Sequence, residues 1–263
     1  DFRAAVDLEA ARASYYEESK GAREVSQRSI WGFLQTGVFT SALCAGLSPT
    51  LCDARANDWA DDISTPVYLL SGYVMPESIQ RRAAAFLERG GRLLLGPEMP
   101  VLNEQYEPCS VLADYVGMRS EALAVDPARV TVLGYRNLWA NIGLYHAAVA
   151  PDAAEEWGVE ERSRRPIAWG TATPGGGRFA YLGLHWYHAV EGHANMLRAV
   201  LERLGMERSI ASTNPCVWVV ARRAGTRTMV FAMNLFTSPQ TTTISLCAPD
   251  DEAPVRGEAL SAP

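Results

Sequence analysis

Apolar positions along the chain change their period twice. Residues 6–16 hold them at helical spacing on an Ala-rich, charged background. Residues 30–47, with Trp31, Phe33, Leu34, Val38, Phe39 and Leu43, predict a longer helix ending near Gly46. Short unbroken apolar runs follow. Residues 67–71, between Pro66 and Gly72, read as a buried strand. A helix begins at Pro76 and Glu77, carries Ile79, Ala83, Phe86 and Leu87 on one stripe and stops at Gly90-Gly91. A second buried strand, residues 92–96, comes next. Two non-alternating apolar strands joined by a helix through short loops predict a parallel sheet covered on both faces.

The middle of the chain is less regular. Residues 109–116 predict a short helix ending at Gly117, and residues 130–133 a strand. The run at 151–165, rich in Glu and Arg, reads as a solvated segment. Residues 167–173 and 178–184 flank Pro174-Gly175-Gly176-Gly177 and predict a hairpin. An amphipathic helix over 193–204 carries Met196, Leu197, Val200, Leu201 and Leu204, and ends at Gly205. From there the period is strand-like, with runs at 217–220, 228–233 and 241–246 separated by turns. Strands alternating with helices and then strands alone predict two modules. The expected boundary puts residues 1–210 in an α/β domain and 211–263 in a small β domain, with a disordered tail from Ala248. No strand is visible before Ile30, and residues 1–25 can be read as the end of a preceding domain.

The chain has 263 residues and a formal net charge of -6, so it is long enough for a sizeable core. Its 24 basic residues are 23 arginines and Lys20, outnumbered by 30 acids, which argues against a nucleic-acid partner. No stretch is long and apolar enough to span a bilayer, so no membrane partner is expected. Five scattered cysteines, Cys44, Cys52, Cys109, Cys216 and Cys247, form no disulfide pattern and no CxxC pair, which favours a reducing, cytoplasmic setting and no metal. The first residues, Asp1-Phe2-Arg3, fit a piece excised from a longer polypeptide.

For chemistry, the densest cluster is Leu182-Gly183-Leu184-His185-Trp186-Tyr187-His188, followed by Glu191 and His193. It comes off a strand and enters a helix, and its spacing matches no helical metal pair. Glu98 is a carboxylate at another strand end, with no second one standing out to make the pair that glycoside hydrolysis needs. Three readings stay open: a structural loop, a small sugar pocket lined by Glu98, Trp139, His185, Trp186 and His188, and a divergent hydrolase using Cys109 or Glu98. The Gly175–Gly177 turn joins two strands, so it is no phosphate cradle, and no motif calls for a cofactor.

A strand ending in His before an acidic residue and a helix resembles the last strand of class I glutamine amidotransferases, where that histidine serves a cysteine set in the turn after an earlier strand. The corresponding turn here, residues 94–99, has neither Cys nor Ser at the exposed position, and Tyr187 stands where the family has Glu. The resemblance therefore implies an amidotransferase-like (flavodoxin-like) scaffold, a parallel sheet with flanking helices, and no amidotransferase chemistry.

The ordered set is similar to the non-catalytic back half of a β-galactosidase-type glycoside hydrolase, family 42 and its relatives. It consists of residues 66–95, residues 106–118, Gly177 to Gly183 with the helix to Met206, and the strands of 217–246. That resemblance implies an amidotransferase-like middle domain and a small antiparallel β module, without catalytic residues of its own. The implied partners are the catalytic barrel of the same polypeptide and further copies of the chain, trimeric in the family.

Overall fold

The computed structural model describes residues 2–10, 38–56, 58–125, 128–140, 144–186, 190–208, 210–214, 216–224, 227–235 and 237–246. The predicted residues 11–37, the tail beyond Leu246 and the His188 end of the histidine loop lie outside the described residues. Two compact units divide the chain, Asp1–Glu207 and Arg208–Pro263.

The first unit is an α/β fold around a nine-stranded sheet. Its strands are β1 (Phe2–Val6), β2 (Pro49–Asp53), β3 (Val67–Ser71), β4 (Arg92–Pro97), β6 (Arg129–Val132), β7 (Tyr135–Trp139), β9 (Glu155–Glu160), β10 (Pro166–Ala172) and β11 (Arg178–Leu182). They lie in the order β2-β1-β3-β4-β11-β10-β9-β6-β7. The pairings from β2 across to β11 are parallel, and those from β11 across to β7 are antiparallel. A separate antiparallel pair joins β5 (Arg119–Val125) to β8 (Leu144–Val149).

The sheet is thus mixed, where a parallel one was expected. The reason lies in the connections. Helical crossovers return β3 to β4 in the same direction, while the tight Gly-rich turn folds β10 straight back onto β11. The expected hairpin is present, with Thr173 N–H donating to Gly177 O at 2.9 Å.

Every residue of β3 is buried, and its side chains alternate between two cores. Tyr68 and Leu70 join Leu94 and the helices α1 (Val38–Cys44) and α4 (Glu191–Arg203) through Val38, Ala42, Met196, Leu197 and Val200. Val67 and Leu69 join Leu93, Leu95 and the helices α2 (Glu77–Glu88) and α3 (Val111–Val116) through Ile79, Phe86 and Leu112. Each such leucine or phenylalanine contributes about 1.5–3 kcal/mol by leaving water. Helix α2 starts after Pro76 and stops where Gly90 takes φ 92°. Gly91 is required beside it, because a Cβ there would sit 2.4 Å from the Phe86 ring.

Three other expectations change. The first strand, unseen before Ile30, is β1, and its pairing with β2 and β3 makes residues 2–6 part of this sheet and not the end of a preceding domain. Val6 therefore ends a strand, not a helix. Arg3 escapes the apolar pattern because its guanidinium is anchored on Trp59 O and Asp62. The charged run 151–165 is not simply solvated: it contains β9, with Trp157, Val159 and Glu160 buried. Glu160 is tolerated there because its carboxylate accepts the N–H groups of Arg162 and Ser163.

The second unit holds β12 (Ile210–Ser212), β13 (Val217–Ala224), β14 (Arg227–Asn234) and β15 (Ile244–Leu246), paired antiparallel as β12-β15 and β13-β14. Ile210, Val217 and Val219 make its small core. The last strand is shorter than expected, since only the end of the 241–246 run is extended into a pair. No helix among the described residues is long and apolar enough to cross a membrane.

Candidate functional site

The parallel half of the sheet brings the ends of β4 and β11 side by side. Glu98 leaves the first and His185 the second, and Glu98 Oε1 lies 2.8 Å from His185 Nε2 with both side chains 1% exposed. That distance is typical of a hydrogen bond between a carboxylate and an imidazole. Glu98 thus faces the histidine from the turn that follows β4.

The turn is held on its other sides as well. The Ser71 hydroxyl at the end of β3 donates to Glu98 O, and Glu98 N–H donates to Ser71 O at 3.3 Å. Met99 N–H donates to His146 Nδ1 at 3.1 Å. The backbone N–H groups of both turn residues are therefore bonded within the protein and are not free to stabilise a developing oxyanion.

His146, on β8, is a site residue that the sequence reading did not single out. It is fully buried, its carbonyl accepts from the Tyr181 hydroxyl at 2.8 Å, and its Nε2 lies 2.7 Å from the exposed Ser120 Oγ. Burial pushes its pKa down to about 4, so the ring is neutral near pH 7. With Nδ1 accepting from Met99, the neutral ring carries its hydrogen on Nε2 and donates to Ser120. That is the wrong tautomer for a base, so the Ser120–His146 pair resembles a nucleophile dyad only in distance. The usable signal was a lone histidine inside the apolar run Leu144-Tyr145-His146-Ala147-Ala148-Val149.

The other predicted residues go to different places. Trp186 is a core side chain at 0% exposure, stacked on Tyr68 with ring centroids 6.0 Å apart and donating from Nε1 to Ser41 Oγ at 3.2 Å. It is therefore not available to line a sugar pocket, as one reading of the sequence had it. Trp139 is 45% exposed at the edge of the sheet, with the Arg129 guanidinium 4.0 Å from its ring centroid. His193, its pKa lowered by burial, hydrogen-bonds Trp139 O through Nε2 at 3.0 Å. Cys109 is buried ahead of α3, its N–H on Val101 O, and His188 lies outside the described residues. Cys44, Cys52, Cys109 and Cys216 are free thiols. Among the described residues no group of three or more His, Cys, Asp or Glu side chains is placed to hold a metal ion.

Comparison with known proteins agrees with this scaffold. Residues 35–153 match the family model described as GLMA-like, second domain. An exo-β-D-glucosaminidase of Pyrococcus horikoshii is 28% identical over 167 residues, covering 59% of this chain and 20% of the relative. The chain resembles the accessory region of a glycoside hydrolase. The fold of such a region recurs in the GH42 β-galactosidase Gan42B of G. stearothermophilus, at TM-score 0.70 and 16% identity over 94% of this chain and 36% of that one. It recurs also in the β-galactosidase of Bacillus circulans sp. alkalophilus, at TM-score 0.64 and 15% identity over 88% and 35% of the two chains. The β-galactosidase-type resemblance drawn from the sequence therefore stands. The chain spans about a fifth of the curated relative and about a third of these two structures.

Proposed function

We propose that this chain is a structural and assembly region of a larger carbohydrate-active hydrolase and performs no chemistry of its own. In this reading the first unit is an amidotransferase-like domain, and the second a small β domain. Both accompany a catalytic barrel of the same polypeptide and further copies of it, in a reducing, cytoplasmic setting. The whole protein would act on β-galactosides or β-glucosaminides, as the names of its relatives suggest. The observation that carries the reading is the filled turn after β4. Glu98 lies in that turn, its side chain bonds His185, and the N–H groups of Glu98 and Met99 are committed to Ser71 and His146.

One observation favours a second reading, a sugar-binding region. The Trp139 ring is 45% exposed and backed by Arg129, an arrangement that suits stacking against the C–H face of a sugar. Titrating the chain with galactose, glucosamine and lactose while following tryptophan fluorescence and melting temperature separates the two. The structural reading predicts no change in either signal. A saturable change abolished by Trp139→Ala would replace it with the binding reading.

A further inference from the structure

Beside the end of α4 the first unit holds a cleft of about 420 Å³, whose lining includes Glu155, Trp157, Ala172, Arg178, Arg203 and Leu204. Small residues on one face of β10 make room for it. Gly170 lets the Trp157 indole lie against the strand, since a Cβ there would sit 2.2 Å from the ring, and Ala172 is the next residue on that face.

The charges at one end of the cleft do not balance. Arg178 on β11 stands beside Arg92 on β4 in the parallel register. Gly205, which follows α4 at φ 102°, has no side chain, and the place a Cβ would take lies 3.3 Å from Arg92 Nη1 and 3.5 Å from Arg178 Nη1. Two guanidinium groups thus converge on one corner. A third, Arg203 in the last turn of α4, is paired with Glu155. Among the described residues neither Arg92 nor Arg178 pairs with a carboxylate.

Helix capping accounts for one of the two. The Arg92 guanidinium donates to Gly205 O and Ser64 O, which satisfies a carbonyl at the end of α4 and fixes the side chain but leaves its charge uncompensated. Arg178 is exposed and is not needed for that cap. Like charges side by side on neighbouring strands repel, and an anion set between them replaces the repulsion with two attractions.

We infer that this corner is an oxyanion site, where a phosphate, sulfate or carboxylate group binds between Arg92 and Arg178 and the rest of a small ligand lies in the cleft beside Trp157 and Leu204. A guanidinium offers several N–H donors in a planar fork, so Arg92 keeps donors to spare after its two carbonyls, and the fork matches the spacing of paired anionic oxygens. The cleft is within the size range of small-ligand sites. Glu155 opposes an anion at the other end, so the charged group is confined to the Arg178 side. The inference goes beyond the structural role proposed above and does not rest on it.

Isothermal titration of the chain in low-salt buffer with inorganic phosphate, glucose 6-phosphate and glucuronate, and with galactose as the neutral control, tests this. The expected result is saturable binding of the anions and none of galactose, with affinity falling as sodium chloride is added. Arg178→Gln raises the dissociation constants by about tenfold or more, the scale of a lost charge-assisted hydrogen bond. Its side chain already faces water, so the variant keeps the parent's circular dichroism. Glu155→Gln removes the opposing carboxylate and tightens binding. Arg81→Gln, an exposed arginine of α2 on the opposite face of the sheet, leaves binding unchanged. Glucose 6-phosphate binding more tightly than inorganic phosphate marks the anion as part of a sugar, and equal affinities mark the free oxyanion as the ligand. No saturable anion binding, binding indifferent to Arg178→Gln, or binding weakened equally by Arg81→Gln overturns the inference and leaves the structural reading standing. Galactose binding with the anion site intact fails that reading alone.

Discussion

Breaking the pair between Glu98 and His185 is the perturbation whose cost follows most directly from the structure. In Glu98→Ala the imidazole loses the 2.8 Å partner on its Nε2 at a site where neither side chain is more than 1% exposed. A buried polar group stripped of its hydrogen bond costs about 1–3 kcal/mol, and about 3–5 kcal/mol if the pair is ionic. At about 2–4 °C per kcal/mol for a domain of this size, a loss near 3 kcal/mol lowers the midpoint by about 6–12 °C. His185→Ala should fall in the same range, and the double variant should lose less than the sum of the two by at least about 1 kcal/mol. Near-ultraviolet circular dichroism is the suitable probe, because Trp169, Trp186, Tyr68 and Tyr181 all lie in the core of the first unit. Two single variants that melt within a degree or so of the parent, or a strictly additive double variant, would refute the buried bond as a clamp on the two strand ends.

His146 sets an acid limit. Its pKa is depressed from 6.5 to about 4, so the unfolded chain takes up this proton first as pH falls. Its contribution is complete above pH 6.5 and drains away between about 6.5 and 4, by roughly 3 kcal/mol in all. His193, shifted in the same direction by burial, adds to the slope. Urea unfolding across that range should show the loss, and His146→Gln should flatten it; an unchanged slope in the variant would assign the acid limit elsewhere. Gly91→Ala drives a methyl group into the Phe86 ring and should destabilise by about 1–3 kcal/mol, with Gly91→Ala/Phe86→Leu recovering part of it. A neutral Gly91→Ala in thermal melting would mean that the helix end relaxes freely.

The legible parts of this fold were those whose pattern is local. Strands β3 and β4 announce themselves as apolar runs cut by Pro66, Gly72, Gly90 and Gly91, and the β10–β11 hairpin by its three glycines. Strand β1 was hidden because Phe2–Val6 is short and interrupted by Arg3, whose partners Trp59 and Asp62 lie far along the chain. Strand β9 was hidden because Glu155, Glu156 and Glu160 give it a surface composition, although Glu160 is bonded by the next turn and Trp157 is buried.

At the site, Glu98 and His185 each stood out as polar residues at strand ends. Their meeting depends on β4 lying next to β11, a parallel pairing across more than eighty residues that no local period encodes. Trp186 misled for a related reason. An aromatic beside histidines in a loop suggests a surface, yet its ring fills the space between Tyr68 and Ser41.

The proposal that this region performs no chemistry rests on the turn after β4, where Glu98 and His185 bond each other. The most direct measurement is steady-state release of nitrophenol from aryl β-galactosides and β-glucosaminides, and of ammonia from glutamine, by the purified chain. The predicted result is no turnover above buffer for the chain or for its Glu98→Gln and His185→Asn variants. Turnover by the parent that disappears in either variant would contradict the claim and make Glu98 and His185 catalytic.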